Sequence, residues 1–161
     1  MLFRSNLFPT PPAIVLRMID AAQLAVGMSV LEPSCGTGRI LSALSDDYAV
    51  DAVEVHPVLA NDCRERFAFA TVYEADFLTW TGGPYDRVIM NPPFERGLDC
   101  QHILHARTML KPGGIIVALC YDGATQAKRL RPVCATWATL PPGSFASEGT
   151  NARVAMVTLC A

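Results

Sequence analysis

Long apolar runs are missing from this chain. The longest, Ile115 to Cys120, falls far short of the roughly 20 residues that a membrane helix needs, so no membrane partner is expected. No basic leader followed by an apolar segment opens the sequence, which argues against a secretory signal and makes the cytoplasm the expected compartment. Charge of one sign is lacking as well. Thirteen Lys and Arg stand against 15 Asp and Glu, a net charge of −2, which excludes a broad basic surface as the means of holding nucleic acid. One local exception is Lys128-Arg129-Leu130-Arg131, a run that reads as a solvated face or as a contact for phosphates. Paired cysteines are absent too. Cys35, Cys63, Cys100, Cys120, Cys134 and Cys160 stand singly, without CxxC pairs or metal-like His/Cys spacing. They read as unpaired thiols in a reducing compartment, mostly small buried side chains, and no metal site is expected.

What is present describes one folded unit. A chain of 161 residues, 51% hydrophobic and 17% charged, is expected to form a single domain with a sizeable core, leaving no separate target-recognition domain. Ser5 to Pro12 reads as a capped entry, with Thr10 as N-cap of a helix over Ala13–Leu24 that Gly27 ends. Strand-like runs follow at Ser29–Glu32, Val50–Val55, Thr71–Glu74, Arg87–Met90 and Ile115–Cys120, with late ones near Cys134–Leu140 and Arg153–Leu159. Helical patterns fall between them at Gly38–Leu44, Pro57–Phe69, Asp99–Leu110 and Ala124–Leu130, and Lys111-Pro112-Gly113-Gly114 reads as a helix stop. The alternation predicts an α/β fold with a mostly parallel seven-stranded sheet, helices on both faces and a C-terminal antiparallel hairpin.

Four strand ends carry chemistry. Asn91-Pro92-Pro93-Phe94 follows the apolar run Val88-Ile89-Met90, at the carboxyl end of a strand, where open α/β sheets bind ligands. The prolines fix φ and remove two donors, leaving an amide, a free carbonyl and a ring as a rigid acceptor edge for a planar amine. Glu32-Pro33-Ser34-Cys35-Gly36-Thr37-Gly38 ends the first strand, and its glycines let backbone amides approach a ligand at the start of the next helix. The third glycine of the dinucleotide fingerprint is missing, with Leu41 in its place. Glu54 stands eighteen residues after Gly36, near the spacing of a carboxylate that accepts from ribose hydroxyls. Asp76 can accept from an adenine amine, with Phe77 as an apolar wall. Each acid alone is an ordinary strand-end charge; together they describe a nucleoside pocket without a pyrophosphate.

On these motifs the sequence resembles the Rossmann-like class I S-adenosylmethionine-dependent methyltransferases, specifically the amino-methylating group with an Asn-Pro-Pro-aromatic motif. The resemblance covers almost the whole chain. Phe8-Pro9-Thr10-Pro11 resembles the motif before the first strand in DNA adenine methyltransferases, and Phe145 to Thr150 with the following strand resembles the terminal hairpin of small phage and mobile-element members. It implies S-adenosylmethionine as cofactor, held by Glu32, Pro33, Ser34, Cys35, Gly36 and Gly38, by Glu54 and Val55, by Asp76 and Phe77, and by Thr10 and Asn91. Glu32 would lie near the methionine amino group and Thr10 near its carboxylate. Asn91, Pro92, Pro93 and Phe94 would form the catalytic motif.

The expected reaction is methyl transfer to an exocyclic amine, with adenine N6 in DNA favoured. The alternatives are adenine in RNA, a protein glutamine amide, or a non-catalytic cofactor-binding subunit. No catalytic His is needed, so His102 and His105 read as partly buried or surface histidines. A lone catalytic core implies that a partner protein delivers or recognises the nucleic acid.

Overall fold

A computed structural model describes residues 8–161. Ser5 to Leu7 of the entry segment lie outside it. Helix α1 spans Pro12–Ala22 and is followed by β1 (Ser29–Pro33), β2 (Ala49–Glu54), α2 (Pro57–Arg66), β3 (Ala70–Glu74) and β4 (Tyr85–Met90). Then come α3 (Leu98–Arg107), β5 (Leu110–Tyr121), α4 (Ala124–Leu130), β6 (Thr136–Thr139) and β7 (Val154–Cys160). The seven strands form one sheet in the order β3-β2-β1-β4-β5-β7-β6. The first five run parallel, and β7 enters antiparallel between β5 and β6.

Strand period 2 sends neighbouring residues to opposite faces, and two apolar layers result. Val30, Ile89, Val117 and Leu119 pack under α1 and α2 with Ile14, Met18 and Cys63. Leu31, Val88, Met90, Ile116 and Ala118 pack against α3 with Cys100, Ile103 and Ala106. Each fully buried aliphatic side chain contributes about 1.5–3 kcal/mol, so the central strands need no other staple.

Several local expectations are corrected. Thr10 is not the cap of α1: Pro11 holds the N-cap position, no side chain caps the helix, and the Thr10 hydroxyl accepts from Asn91 instead. The helix stops at Ala22 because Gln23 turns left-handed (φ 49°), four residues before Gly27. In place of a helix over Gly38–Leu44 there is one 3-10 turn, Leu41–Ala43. The Ser42 hydroxyl donates to the Gly38 carbonyl, and a Ser45–Asp47 turn leads into β2, so the crossover is too short to propagate. Lys111 to Gly114 lies inside β5 as a bulge rather than as a helix stop. Tyr85 faces Leu110 while Arg87 faces Ile115, which leaves the extra residues looped out. Helix α2 ends at Arg66 rather than Phe69, and α3 at Arg107 rather than Leu110.

Among the described residues, no helix is long and apolar enough to cross a membrane. All six cysteines are free; Cys134 is half-buried, Cys160 exposed and the other four buried.

Candidate active site

The sheet order reverses between β1 and β4, and at such a switch point the carboxyl ends of the strands open a crevice. Glu32 and Asn91 stand on its two sides. A narrow recess of about 20 Å³ lies between Glu32, Thr10, Cys35, Gly36, Arg39 and Asn91. A larger cleft of about 680 Å³ continues past Glu54, Val55, Asp76, Phe77, Phe94 and His102. Phe8, Ser34 and Asn91 border both. A cleft of that size suits a nucleoside-bearing ligand.

On the β4 side, the ladder to β5 runs to Met90 opposite Ala118 and stops, since Pro92 and Pro93 have no N–H to extend it. The Asn91 amide is oriented unambiguously. Its Nδ2 donates to the Phe8 carbonyl (3.1 Å) and to Thr10 Oγ1 (3.0 Å). A backbone carbonyl only accepts, so the nitrogen must face it. Asn91 Oδ1 and the Pro92 carbonyl accept no hydrogen bond among the described residues. Two acceptors therefore stand free beside the half-buried ring of Phe94.

On the β1 side, Glu32 is 2% exposed and its Oε2 has no hydrogen-bond partner. Burial pushes its carboxyl well above the usual range; the neighbouring Cys63 and, more weakly, Glu54 add to this, while the Leu41 backbone amide offsets part of it. A buried, unpartnered carboxylate oxygen at the narrow recess fits an incoming ammonium group. Glu54 is buried but partnered. Its Oε2 accepts from the Gly36 amide and its Oε1 from the His56 amide, both at 2.8 Å. These bonds bind the glycine loop to β2 and leave lone pairs toward the cleft. Asp76 is exposed at the rim, where it accepts from the Leu78 amide (3.0 Å). Val55 is 65% exposed on the cleft wall, an apolar surface that a planar ligand would cover.

Two residues assigned to the cofactor side line neither cavity. Pro33 ends β1 opposite Val53 as part of the sheet. Gly38 is needed for packing instead: its φ is +78°, and a β-carbon there would meet the Phe67 ring at 2.4 Å. Cys35 braces the loop. Its thiol donates to Cys63 Sγ at 3.8 Å, and Cys63 in turn donates to the Gly36 carbonyl at 3.4 Å.

The structure adds residues that the sequence reading passed over. Arg39 lies at the narrow recess, where its guanidinium reaches the Thr10 carbonyl (3.4 Å) and Glu148 (3.6 Å). His102 is no surface histidine. It lines the cleft, with Nδ1 3.4 Å from Ser34 Oγ and its ring 5.5 Å from that of Phe77. Burial lowers its pKa, against the opposing pull of the Asp76 and Asp99 carboxylates. Its place on the buried stripe of α3 with Asp99, Ile103 and Ala106 was the signal available. His105 bonds the Trp80 carbonyl and stands edge-on to Phe77. Among the described residues, no three His, Cys, Asp or Glu side chains converge as metal ligands.

This fold and crevice define a Rossmann-like domain with a cleft sized for a nucleoside-bearing ligand beside an acceptor-lined edge. The chain belongs to the methyltransferase small domain family, whose model matches residues 12–136, and its cofactor is S-adenosylmethionine. It is 31% identical over 99 residues to the modification methylase CviBIII of Paramecium bursaria Chlorella virus NC1A, covering 56% of this chain and 26% of that protein. It is 34% identical over 99 residues to the ribosomal RNA small subunit methyltransferase C of Shewanella loihica, covering 53% and 29%. The chain thus matches under a third of the length of these relatives. A type I restriction-modification methyltransferase subunit from Streptococcus thermophilus has the same fold, with TM-score 0.78, 19% identity, and coverage of 95% of this chain and 44% of that one.

Proposed function

We propose that this domain transfers the methyl group of S-adenosylmethionine to the exocyclic N6 amine of adenine in DNA. The observation that carries the reading is the tethered amide of Asn91, which leaves Oδ1 as a fixed acceptor next to the Pro92 carbonyl and Phe94. Likeness to a viral modification methylase supports DNA as the substrate.

Glu32 would take the amino group of the cofactor, Glu54 its ribose hydroxyls, and Asp76 with Phe77 and Val55 its adenine. Thr10 and Arg39 border the methionine end. The bound cofactor supplies an electrophilic methyl group on a sulfonium leaving group. The protein has to prepare the nucleophile, because the lone pair of an aromatic amine is delocalised into its ring. Asn91 Oδ1 and the Pro92 carbonyl each accept one N–H, which lets the nitrogen pyramidalise and turn its lone pair toward the methyl group. Phe94 stacks on the base, a contact worth about 1–3 kcal/mol. Aligning the reacting atoms can supply roughly 7–11 kcal/mol, so no protein nucleophile is needed. A base in a duplex must first be flipped out, at a cost of a few kcal/mol. This favours single-stranded or partner-delivered DNA, in the cytoplasm. The likeness to a ribosomal RNA methyltransferase favours RNA as the second reading.

Tritiated-methyl transfer to DNA, RNA and total protein tests both readings. Transfer to adenine in DNA is expected, with Asn91→Ala lowering kcat by about 100-fold or more, as for loss of one preorganised hydrogen-bonding group. Near-normal turnover by Asn91→Ala would remove Asn91 from the chemistry.

A further inference from the structure

Most cations of the described chain are already engaged. Arg39, Arg64, Arg66, Lys111 and Arg153 have carboxylate partners, Arg87 and Arg107 bond backbone carbonyls, and Arg131 lies over the Trp137 ring. Among the described residues, Arg17, Arg96, Lys128 and Arg129 have no such partner, and all four are exposed. Arg17 is on α1. Arg96 lies in the loop that follows Phe94, Arg129 approaches that loop at Gly97, and Lys128 precedes Arg129 on α4.

Arg96 follows Phe94 by two residues and adopts φ 51°, ψ 28°, with Gly97 at φ 72° directly after it. A long charged side chain in the left-handed region is uncommon, and such outliers concentrate where the side chain or loop is used. Arg129 arrives from α4, which packs on α3, and a β-carbon on Gly97 would sit 3.6 Å from its Nη1. Lys128 adjoins it. The one acid in this stretch of the rim, Glu95, forms no ion pair with any of them. In a chain of net charge −2, two solvated cations without ion-pair partners, Arg96 and Arg129, thus stand next to the loop whose Phe94, Glu95 and Leu98 line the cleft, with Lys128 preceding Arg129 on α4.

We propose that Arg96, Lys128 and Arg129 contact the phosphodiester backbone on either side of the target nucleotide, gripping a single nucleic-acid strand by charge. This rests on the nucleic-acid reading of the site. Guanidinium and ammonium groups on a solvated rim recognise phosphate without reading bases, which suits a domain that holds a strand while recognition is supplied elsewhere.

The test measures the salt dependence of binding to a fluorescein-labelled single-stranded DNA oligonucleotide and to RNA of the same sequence. The triple variant R96G/K128Q/R129Q is compared with wild type and with R17Q. Glycine accepts the Arg96 backbone conformation, so the loop is kept. Each lost single-strand phosphate contact lowers the slope of log K against log salt by about 0.7, so the triple variant is expected to lose about 2. On both oligonucleotides it should show a raised KM, with unchanged kcat and unchanged S-adenosylmethionine binding, while R17Q keeps the full slope. A full wild-type slope in the triple variant, or an equal loss in R17Q, overturns the proposal. Wild-type transfer to protein and to neither nucleic acid overturns the underlying reading instead, and the wild type alone reveals it.

Discussion

Glu32 does the free protein no good. A carboxylate buried without a partner for Oε2 penalises the charged form, and its pKa rises well above the usual 4.5. A raised carboxyl pKa means the folded state prefers the protonated acid. The penalty is therefore present above the unfolded value of 4.5 and relieved as pH falls below the folded one. An ammonium group bound at Oε2 reverses the preference and expels the proton. S-adenosylmethionine affinity should thus strengthen as pH rises through the raised Glu32 pKa, with proton release on binding near that pH, as calorimetry in buffers of different ionisation enthalpy reads directly. Glu32→Gln should bind about 10- to 100-fold more weakly, the worth of a charge-assisted hydrogen bond at about 1.5–3 kcal/mol, and should lose the pH step. The free variant should melt no earlier than wild type at neutral pH, because a neutral amide replaces a desolvated charge. Retention of the pH step in Glu32→Gln would assign it to another group.

The elements most legible in the sequence are those whose apolar pattern exceeds what local turns can override. Val88-Ile89-Met90 reads as a buried strand that must end at two prolines, and it is one. The stripe at Ile14, Val15 and Met18 faces the core as its helical spacing implies. Errors cluster where side chains compete with the backbone, as at Ser42 and Ser45, or where Pro and Gly punctuate a strand rather than end a helix. Lys111-Pro112-Gly113-Gly114 is the instructive case, because its lysine is held by a residue far away in sequence. Lys111 Nζ lies 2.8 Å from Asp86 Oδ2, which also accepts from the Ser29 amide and hydroxyl, both at 2.8 Å. One carboxylate thereby ties together the amino ends of β1, β4 and β5. The Lys111 bond first, and then the two from Ser29, pull its pKa down to about 2. With a depressed folded pKa, the stabilisation is fully present above the unfolded 3.8 and is lost as pH falls toward 2. Asp86→Asn should therefore melt below wild type at pH above 4, and the gap should narrow between about pH 4 and 2 as the wild type protonates. A gap that stays constant through that range would show that the hydrogen-bond geometry, not the charge, carries the effect.

At the scale of the molecule, the site exists because four strand ends converge at one reversal of sheet order. Glu32, Glu54 and Asn91 were legible because each ends a recognisable strand, whereas His102 and Arg39 reach the cavities through packing between elements, which no spacing along the chain records. On the proposed function, the same topology would split the crevice into a cofactor half on β1, β2 and β3 and a substrate half on β4, and the halves should separate experimentally. A ligand that binds only the folded state stabilises it by about 2.7 kcal/mol at a hundredfold excess over Kd. For a domain of this size that corresponds to a rise in Tm of about 5–10 °C. Wild type with excess S-adenosylmethionine should show this rise. Phe94→Ala should keep it while losing transfer, since its ring faces the amine side of the cleft. Glu54→Ala should lose most of it, because that carboxylate holds the Gly36 amide and, on the proposed function, would offer its remaining lone pairs to the ribose. Equal loss of the thermal shift in both variants would mean that the cleft binds its two ligands as one indivisible site. Selective loss in Glu54→Ala would mean that the cofactor is held without help from Phe94, leaving that ring to act on the amine alone.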